Sequence, residues 1–104
     1  MSLDKKVVVI TGASQGIGRA TALRCAEAGA IVGANYFKST TAAETLLAAA
    51  PDQIHLLPFD VRDPEEVKSA LSAFIQKHGR IDVLINNAGI MAAPLVRDKR
   101  GYES

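Results

Sequence analysis

Gly12, Gly16 and Gly18 carry the strongest chemical signal in the sequence. They fall in Thr11-Gly12-Ala13-Ser14-Gln15-Gly16-Ile17-Gly18, between the apolar run Val7-Val8-Val9-Ile10 and an alanine-rich run that begins at Arg19. That order reads as strand, glycine turn, helix. A dinucleotide's pyrophosphate must approach the backbone N–H groups at a helix start, where aligned peptide dipoles favour negative charge, and a side chain at the point of approach would block it. Gly12 lets the chain leave the strand in a conformation that other residues strain to adopt, Gly16 leaves room for phosphates, and Gly18 lets the helix lie close on the strand. Thr11, Ser14, Gln15 and Ile17 stand among these glycines as candidate contacts, the two hydroxyls as donors. By itself a glycine cluster also fits an ordinary tight turn.

A second cluster, Asn86-Asn87-Ala88-Gly89, follows the apolar run Ile81-Asp82-Val83-Leu84-Ile85, about seventy residues beyond the turn. Small Ala88 and Gly89 would let a cofactor pass over the end of a strand. The Asn amides can tie neighbouring strand ends together, with Asn87 the structural amide. With both clusters in register, the chain resembles the short-chain dehydrogenase/reductase family of NAD(P)-dependent oxidoreductases. The resemblance covers essentially the whole chain but only the first half or less of the family's domain.

The resemblance implies hydride transfer between a nicotinamide cofactor and a carbonyl or alcohol. It also puts adenine beside Asp60 and Val61, the carboxylate accepting from the exocyclic amine and the next backbone N–H donating to a ring nitrogen. Asp60 equally fits the plainer role of capping the following turn. In the family a Tyr serves as acid/base, a Lys four residues later lowers its pKa, and a Ser orients the substrate oxygen. Here Thr40 lies four places after Tyr36, and the sequence stops before that place for Tyr102. Neither Tyr can be the general acid, and no catalytic residue is assigned. Turnover by these residues alone is not expected, and a small-molecule substrate would need the missing half. The alternative is a non-catalytic dinucleotide-binding or structural module.

Cofactor choice turns on the segment about twenty residues past the glycines, where an acidic residue would bind the ribose 2′-hydroxyl of NAD and repel the phosphate of NADP. No acidic residue occurs between Glu27 and Glu44. Asn35, Tyr36, Phe37, Lys38 and Ser39 occupy the place, and Lys38 with Ser39 could meet a 2′-phosphate. NADP(H) is the expected preference, with NAD(H) possible; Lys38 as a solvated loop lysine is the plainer reading.

Other chemistries find little support. His55 sits in an apolar run and His78 in a helix's last turn, each without a partner in view, and with the lone Cys25 they make no zinc constellation, so no metal site is expected. A formal charge of +1 gives no reason to expect nucleic acid or a membrane surface as partner. Residues 1–6 lack the apolar core of a signal peptide and no run reaches the length of a membrane span, which fits a soluble, cytoplasmic protein.

The elements that must hold these residues are legible in outline. The 104 residues read as one NAD(P)-binding domain, a truncated Rossmann-like α/β fold with a doubly wound parallel sheet of about four strands in order 3-2-1-4 and three helices. A helix over 16–28 ends at Gly29, a small-residue strand covers 30–36 with Gly33 marking a close backbone approach, and Thr41-Ala42-Ala43-Glu44 reads as a capping box opening a helix to 50. Residues 54–59 read as a strand kept near the sheet edge by Pro58. Asp63-Pro64-Glu65-Glu66 starts a helix whose Val67, Ala70, Leu71, Phe74 and Ile75 form one buried face ending at Gly79. Residues 81–85 form the fourth strand, and residues 90–104 read as the following loop and the first residues of a further helix. The open apolar edge of that fourth strand invites pairing with another chain, so a homo-oligomer joined there or through the C-terminal segment is expected.

Overall fold

Val7, Val8, Val9, Ile10 and Thr11 form a continuous run with every member at or below 1 % exposed, which requires cover on both faces of their strand. The computed structural model supplies that cover and describes residues 2–89. In chain order the elements are β1 (Val7–Thr11), α1 (Gly16–Glu27), β2 (Ile31–Tyr36), α2 (Thr40–Ala49), β3 (Ile54–Pro58), α3 (Pro64–His78) and β4 (Val83–Asn86). The four strands are parallel in the order β3-β2-β1-β4, as expected.

The pleat of β1 divides the core. Val8 and Ile10 join Val32 and Ala34 of β2 against Ala22 and Ala26 of α1 and Leu46 of α2. Val7 and Val9 face the other way, onto Val67, Leu71, Phe74 and Ile75 of α3. Alanine at the α1 contact lets that helix pack close, whereas α3 fills a wider gap with larger side chains. Gly33 does mark a close approach, but of side chains rather than backbone: a Cβ there would lie 2.8 Å from Leu57 Cδ1 and 3.0 Å from Phe74 Cζ.

Helix ends follow the sequence where the signal is strong. The Asp63 carboxylate accepts from the Glu65 and Glu66 backbone N–H groups at 3.0 and 3.3 Å, Pro64 opens α3, and Gly79 closes it at φ +92. Each is a local requirement met by a residue suited to it. The capping box at Thr41 does not form. The start of α2 is one residue earlier, Ser39 holds the cap position at φ −83 and ψ 62, and its side chain makes no capping bond. With Thr40 already helical, Thr41 lies inside the first turn, where its hydroxyl cannot serve the orphan N–H groups.

The start of β4 is tied to the start of β1. The Asp82 carboxylate accepts from the Val7 N–H at 2.8 Å and from Arg80 Nε at 2.9 Å, while Arg80 Nη2 donates to the Lys5 carbonyl at 3.2 Å. At the far edge of the sheet, His55 of β3 is not isolated as its sequence context suggested. Its ring lies 4.8 Å from that of His78 and 6.1 Å from that of Phe74. The expectation for residues 90–104, with Tyr102, lies outside the described residues.

Candidate functional site

Parallel strands direct all their C-terminal ends to one edge of the sheet, and the pairing of Thr11 with Asn86 and of Tyr36 with Pro58 brings those ends level. The segments 12–15, 37–39, 59–63 and 87–89 leave from that edge. Nearly every residue selected from the sequence therefore lies along one edge of the sheet, although they span most of the chain.

At its centre is the start of α1. Gln15 occupies the cap position in extended conformation, its side chain does not cap the helix, and the first turn holds no acidic residue. The positive end of this helix is thus unsatisfied by protein side chains and faces solvent beside exposed Gln15, Gly16 and Ile17. Gly16 has φ +59 with nothing within 4 Å of where a Cβ would stand, so open space lies over the turn. Gly18 is confined instead: a Cβ there would run into the Gly12 carbonyl oxygen and lie 2.6 Å from Asn87 Nδ2. Ile17, the next residue, is 77 % exposed.

The turn is held from below by buried polar groups, and here two expectations change. Thr11 is fully buried; its hydroxyl donates to Asn86 Oδ1 at 2.9 Å and accepts from the Ala88 N–H at 3.0 Å. It joins β1 to the segment after β4 and presents no donor to solvent. Asn35 is 2 % exposed, its Oδ1 accepting from the Gly12 N–H at 3.1 Å, so its side chain points inward and not to a cofactor as its place in the segment suggested. Asn87 has the structural role assigned to it, donating from Nδ2 to the Gly12 carbonyl at 3.2 Å. Ser14 is almost buried, while Ala88 and Gly89 lie exposed beside the turn.

Beyond β2, Tyr36 is half-buried, Phe37 and Lys38 are exposed, and Lys38 Nζ stands 5.3 Å from the centroid of the Phe37 ring. Ser39 follows at the cap position of α2. The Lys38 charge stands at the rim, against the Phe37 ring and near enough to Asp60 to help lower its carboxyl pKa. Beyond β3, the Asp60 carboxylate accepts from the Arg62 N–H and Nε through Oδ1 and from Arg62 Nη2 through Oδ2, all near 3 Å. The side-chain bond from Arg62 is the main reason that its carboxyl is held below the usual carboxylate range. The turn-holding role is therefore realised, and of roughly four acceptor positions on a carboxylate one stays open. Val61 is half-buried against the α3 side of the core.

Asn86 makes the tie between strand ends expected of the Asn amides, whereas sequence reasoning missed Arg62 and Arg19. Asn86 links Thr11 to the Gly89 carbonyl, Arg62 clamps Asp60, and Arg19 Nη1 joins α1 to α2 through the Ala42 carbonyl at 3.0 Å and Thr45 Oγ1 at 3.2 Å. Nearness of Arg62 to Asp60 in the chain was the only available signal for either arginine. Among the described residues no group of three or more His, Cys, Asp or Glu could hold a metal ion, and no helix is long and apolar enough to cross a membrane.

The family model described as short chain dehydrogenase matches residues 6–100. The chain belongs to the short-chain dehydrogenase family. Among curated short-chain dehydrogenase relatives it is 41 % identical over 102 residues to the 3-oxoacyl-[acyl-carrier-protein] reductase FabG of Thermotoga maritima, which covers 95 % of this chain and 42 % of that one. A Synechocystis reductase of the same name is 41 % identical, with 86 % of this chain and 37 % of the relative covered. The chain thus spans about two fifths of the length of these relatives. It spans far more of a shorter one, the short-chain dehydrogenase/reductase homolog YusS of Bacillus subtilis, at 34 % identity with 86 % and 85 % of the two chains covered. A solved dehydrogenase/reductase from Sinorhizobium meliloti superposes with TM-score 0.80 at 33 % identity, over 86 % of this chain and 36 % of the other.

Proposed function

We propose that this chain binds the adenosine and pyrophosphate portion of a nicotinamide dinucleotide, NADP(H) in preference to NAD(H), as the cofactor-binding part of an oxidoreductase acting on a carbonyl or alcohol. One observation carries the reading: the acid-free, uncapped start of α1 opens onto free space above Gly16. An anion placed there gains backbone donors and the helix dipole without displacing any side chain. Gly12, Ser14, Gln15, Gly16, Ile17 and Gly18 would surround the pyrophosphate, Ala88 and Gly89 the adjacent ribose, and Asp60 with Val61 the adenine. Lys38 and Ser39, with Tyr36 beside them, would receive a 2′-phosphate. The cofactor supplies hydride transfer, while the 104 residues hold no Tyr-x-x-x-Lys pair, so turnover by them alone is not expected.

A second reading is a structural module without nucleotide. The hydrogen bonds of Thr11, Asn35 and Asn87 favour it, because they hold the glycine turn with protein groups alone. Among the described residues the outer edge of β4 has no partner strand, and Val83 and Leu84 there are 42 % and 40 % exposed, which supports self-association at that edge. A cytoplasmic location accords with both readings.

Calorimetric titration with NADPH and with NADH separates them. Binding by the wild type that is lost in Gly16→Val would support the nucleotide site, since the added side chain fills the approach to the helix start. Absence of binding at about millimolar cofactor, weaker than roughly 4 kcal/mol, would leave only the structural reading.

A further inference from the structure

Asn35 makes more specific contacts across the strand ends than any exposed residue beside them. Its backbone carbonyl accepts from the Ala13 N–H at 2.8 Å, and its side-chain Oδ1 accepts from the Gly12 N–H at 3.1 Å. In the other direction, Nδ2 donates to the Leu57 carbonyl at 3.1 Å, the Phe59 carbonyl at 3.0 Å and, more weakly, the Tyr36 carbonyl at 3.3 Å. One N–H group at the oxygen and three carbonyls around the nitrogen leave no alternative orientation for the amide.

These partners lie on two sides of the proposed dinucleotide site. Gly12 and Ala13 open the turn that would hold the pyrophosphate. Phe59 immediately precedes Asp60 and Val61, the adenine end, and the Phe59 N–H returns a bond to the Tyr36 carbonyl at 3.1 Å. We propose that Asn35 is a positioning residue that couples the pyrophosphate turn to the adenine end through its buried amide, an inference that rests on the nucleotide reading above.

The chemistry required is one acceptor and two donors in a single planar group of this size. A carboxylate of the same shape keeps the acceptor for Gly12 but turns a second oxygen toward three carbonyl oxygens. Buried among them it is repelled when ionised, and it can donate to one of them only when protonated. Asn35→Asp therefore makes the coupling dependent on pH. The wild-type amide does not titrate.

The test is the ratio of NADP+ dissociation constants, Asn35→Asp over wild type, measured at about pH 5 and about pH 8 on material shown to be folded by circular dichroism. Taking the ratio cancels the titration of the cofactor's own phosphate. The expected result is a ratio that rises at least about tenfold between the two pH values, as the introduced carboxyl ionises. A flat ratio in folded protein, with the wild type binding, overturns the coupling and leaves the nucleotide reading intact. Failure of the wild type to bind NADP+ at either pH overturns that reading and the coupling with it.

Should the variant unfold at the higher pH, adenosine titrated into the wild type decides. It occupies only the adenine end, so shifts of the Gly12 and Ala13 amide resonances would show transmission through Asn35. Resonances that stay fixed while those of Asp60 and Val61 move would overturn the coupling.

Discussion

Replacing Gly18 by Ala should destabilise the protein, against the usual effect of that change in a helix. At an unhindered helical position the substitution gains about 0.5–1 kcal/mol, because Ala loses less backbone entropy on folding. At Gly18 the new methyl meets the Gly12 carbonyl oxygen, lies 2.6 Å from Asn87 Nδ2 and 3.0 Å from the Gly12 carbonyl carbon. Overpacking of this kind costs about 1–3 kcal/mol, and forcing Asn87 off the Gly12 carbonyl forfeits a hydrogen bond of about 0.5–1.5 kcal/mol. The difference is a net loss of roughly 0.5–4 kcal/mol, and each 1 kcal/mol lowers Tm by about 4–8 °C in a domain near this size. Urea titration followed by far-ultraviolet circular dichroism measures it directly. Asn87→Ala in the Gly18→Ala background should recover about 0.5 kcal/mol or more relative to additivity, because one of the obstructing groups is gone. A Gly18→Ala variant as stable as wild type, or more stable, would refute the close approach of α1 to the segment after β4.

Other outcomes follow from the same structure. Lys38→Ala should weaken NADPH binding about tenfold while leaving NADH binding nearly unchanged, because only the former carries the 2′-phosphate; equal changes in both calorimetric affinities would remove Lys38 from the site. Burial first, and Lys77 in addition, push the His55 imidazole below its ordinary value, and burial first pushes His78 down too, with His55 and Lys77 adding to it. Folding then favours the neutral rings, so stability should be full above about pH 6.5, where unfolded His is also neutral, and fall as pH drops toward about 5. The urea midpoint measured across that window should lose part of its slope in His55→Phe and most of it when His78 is replaced as well, and an unchanged slope in the double variant would point elsewhere. Asp82→Ala leaves the Val7 N–H without its partner and Arg80 without its carboxylate, and should cost about 1.5–3 kcal/mol in the same urea assay. Light scattering at micromolar concentration should show a dimer that Val83→Lys reduces to monomer, whereas a wild-type monomer throughout would exclude pairing at β4.

Legibility in the sequence tracked the range of the interaction involved. The Asp63-Pro64 start and Gly79 end of α3 are decided within four residues, and both were readable. The buried run of β1, the strand order and Pro58 at the sheet edge followed from composition and from the family's topology. Thr41 failed because two successive threonines offer the same local chemistry, and the chain path out of β2 decides which of them is already helical. Thr11 was placed at the cofactor because its hydroxyl could donate, and Asn35 because of its distance beyond the glycine turn. Nothing nearby in sequence reveals that Asn86, Ala88, Leu57 and Phe59 consume their hydrogen-bonding capacity. The nearness of His55 and His78 likewise depends on α3 lying across the edge strand. Such contacts become visible only once separate segments are assembled.

The bonds between β1 and β4 set an order on how this chain can mature on the ribosome. Val7 and Asp82, Thr11 and Asn86, and Gly12 and Asn87 are each 75 residues apart. At roughly 5–20 residues per second, about 4–15 s separate synthesis of the first partner from that of the second. During that interval β2 can pair with one side of β1, but the other side of the nascent strand, with Val7, Val8 and Val9 beside it, has no neighbour. The glycine turn can take its bonds from Asn35 early, but those from the segment after β4 reach it only after this interval. A nascent-chain chaperone that shields short apolar runs would find a target here for that interval, and slowing translation before residue 82 should prolong the exposure.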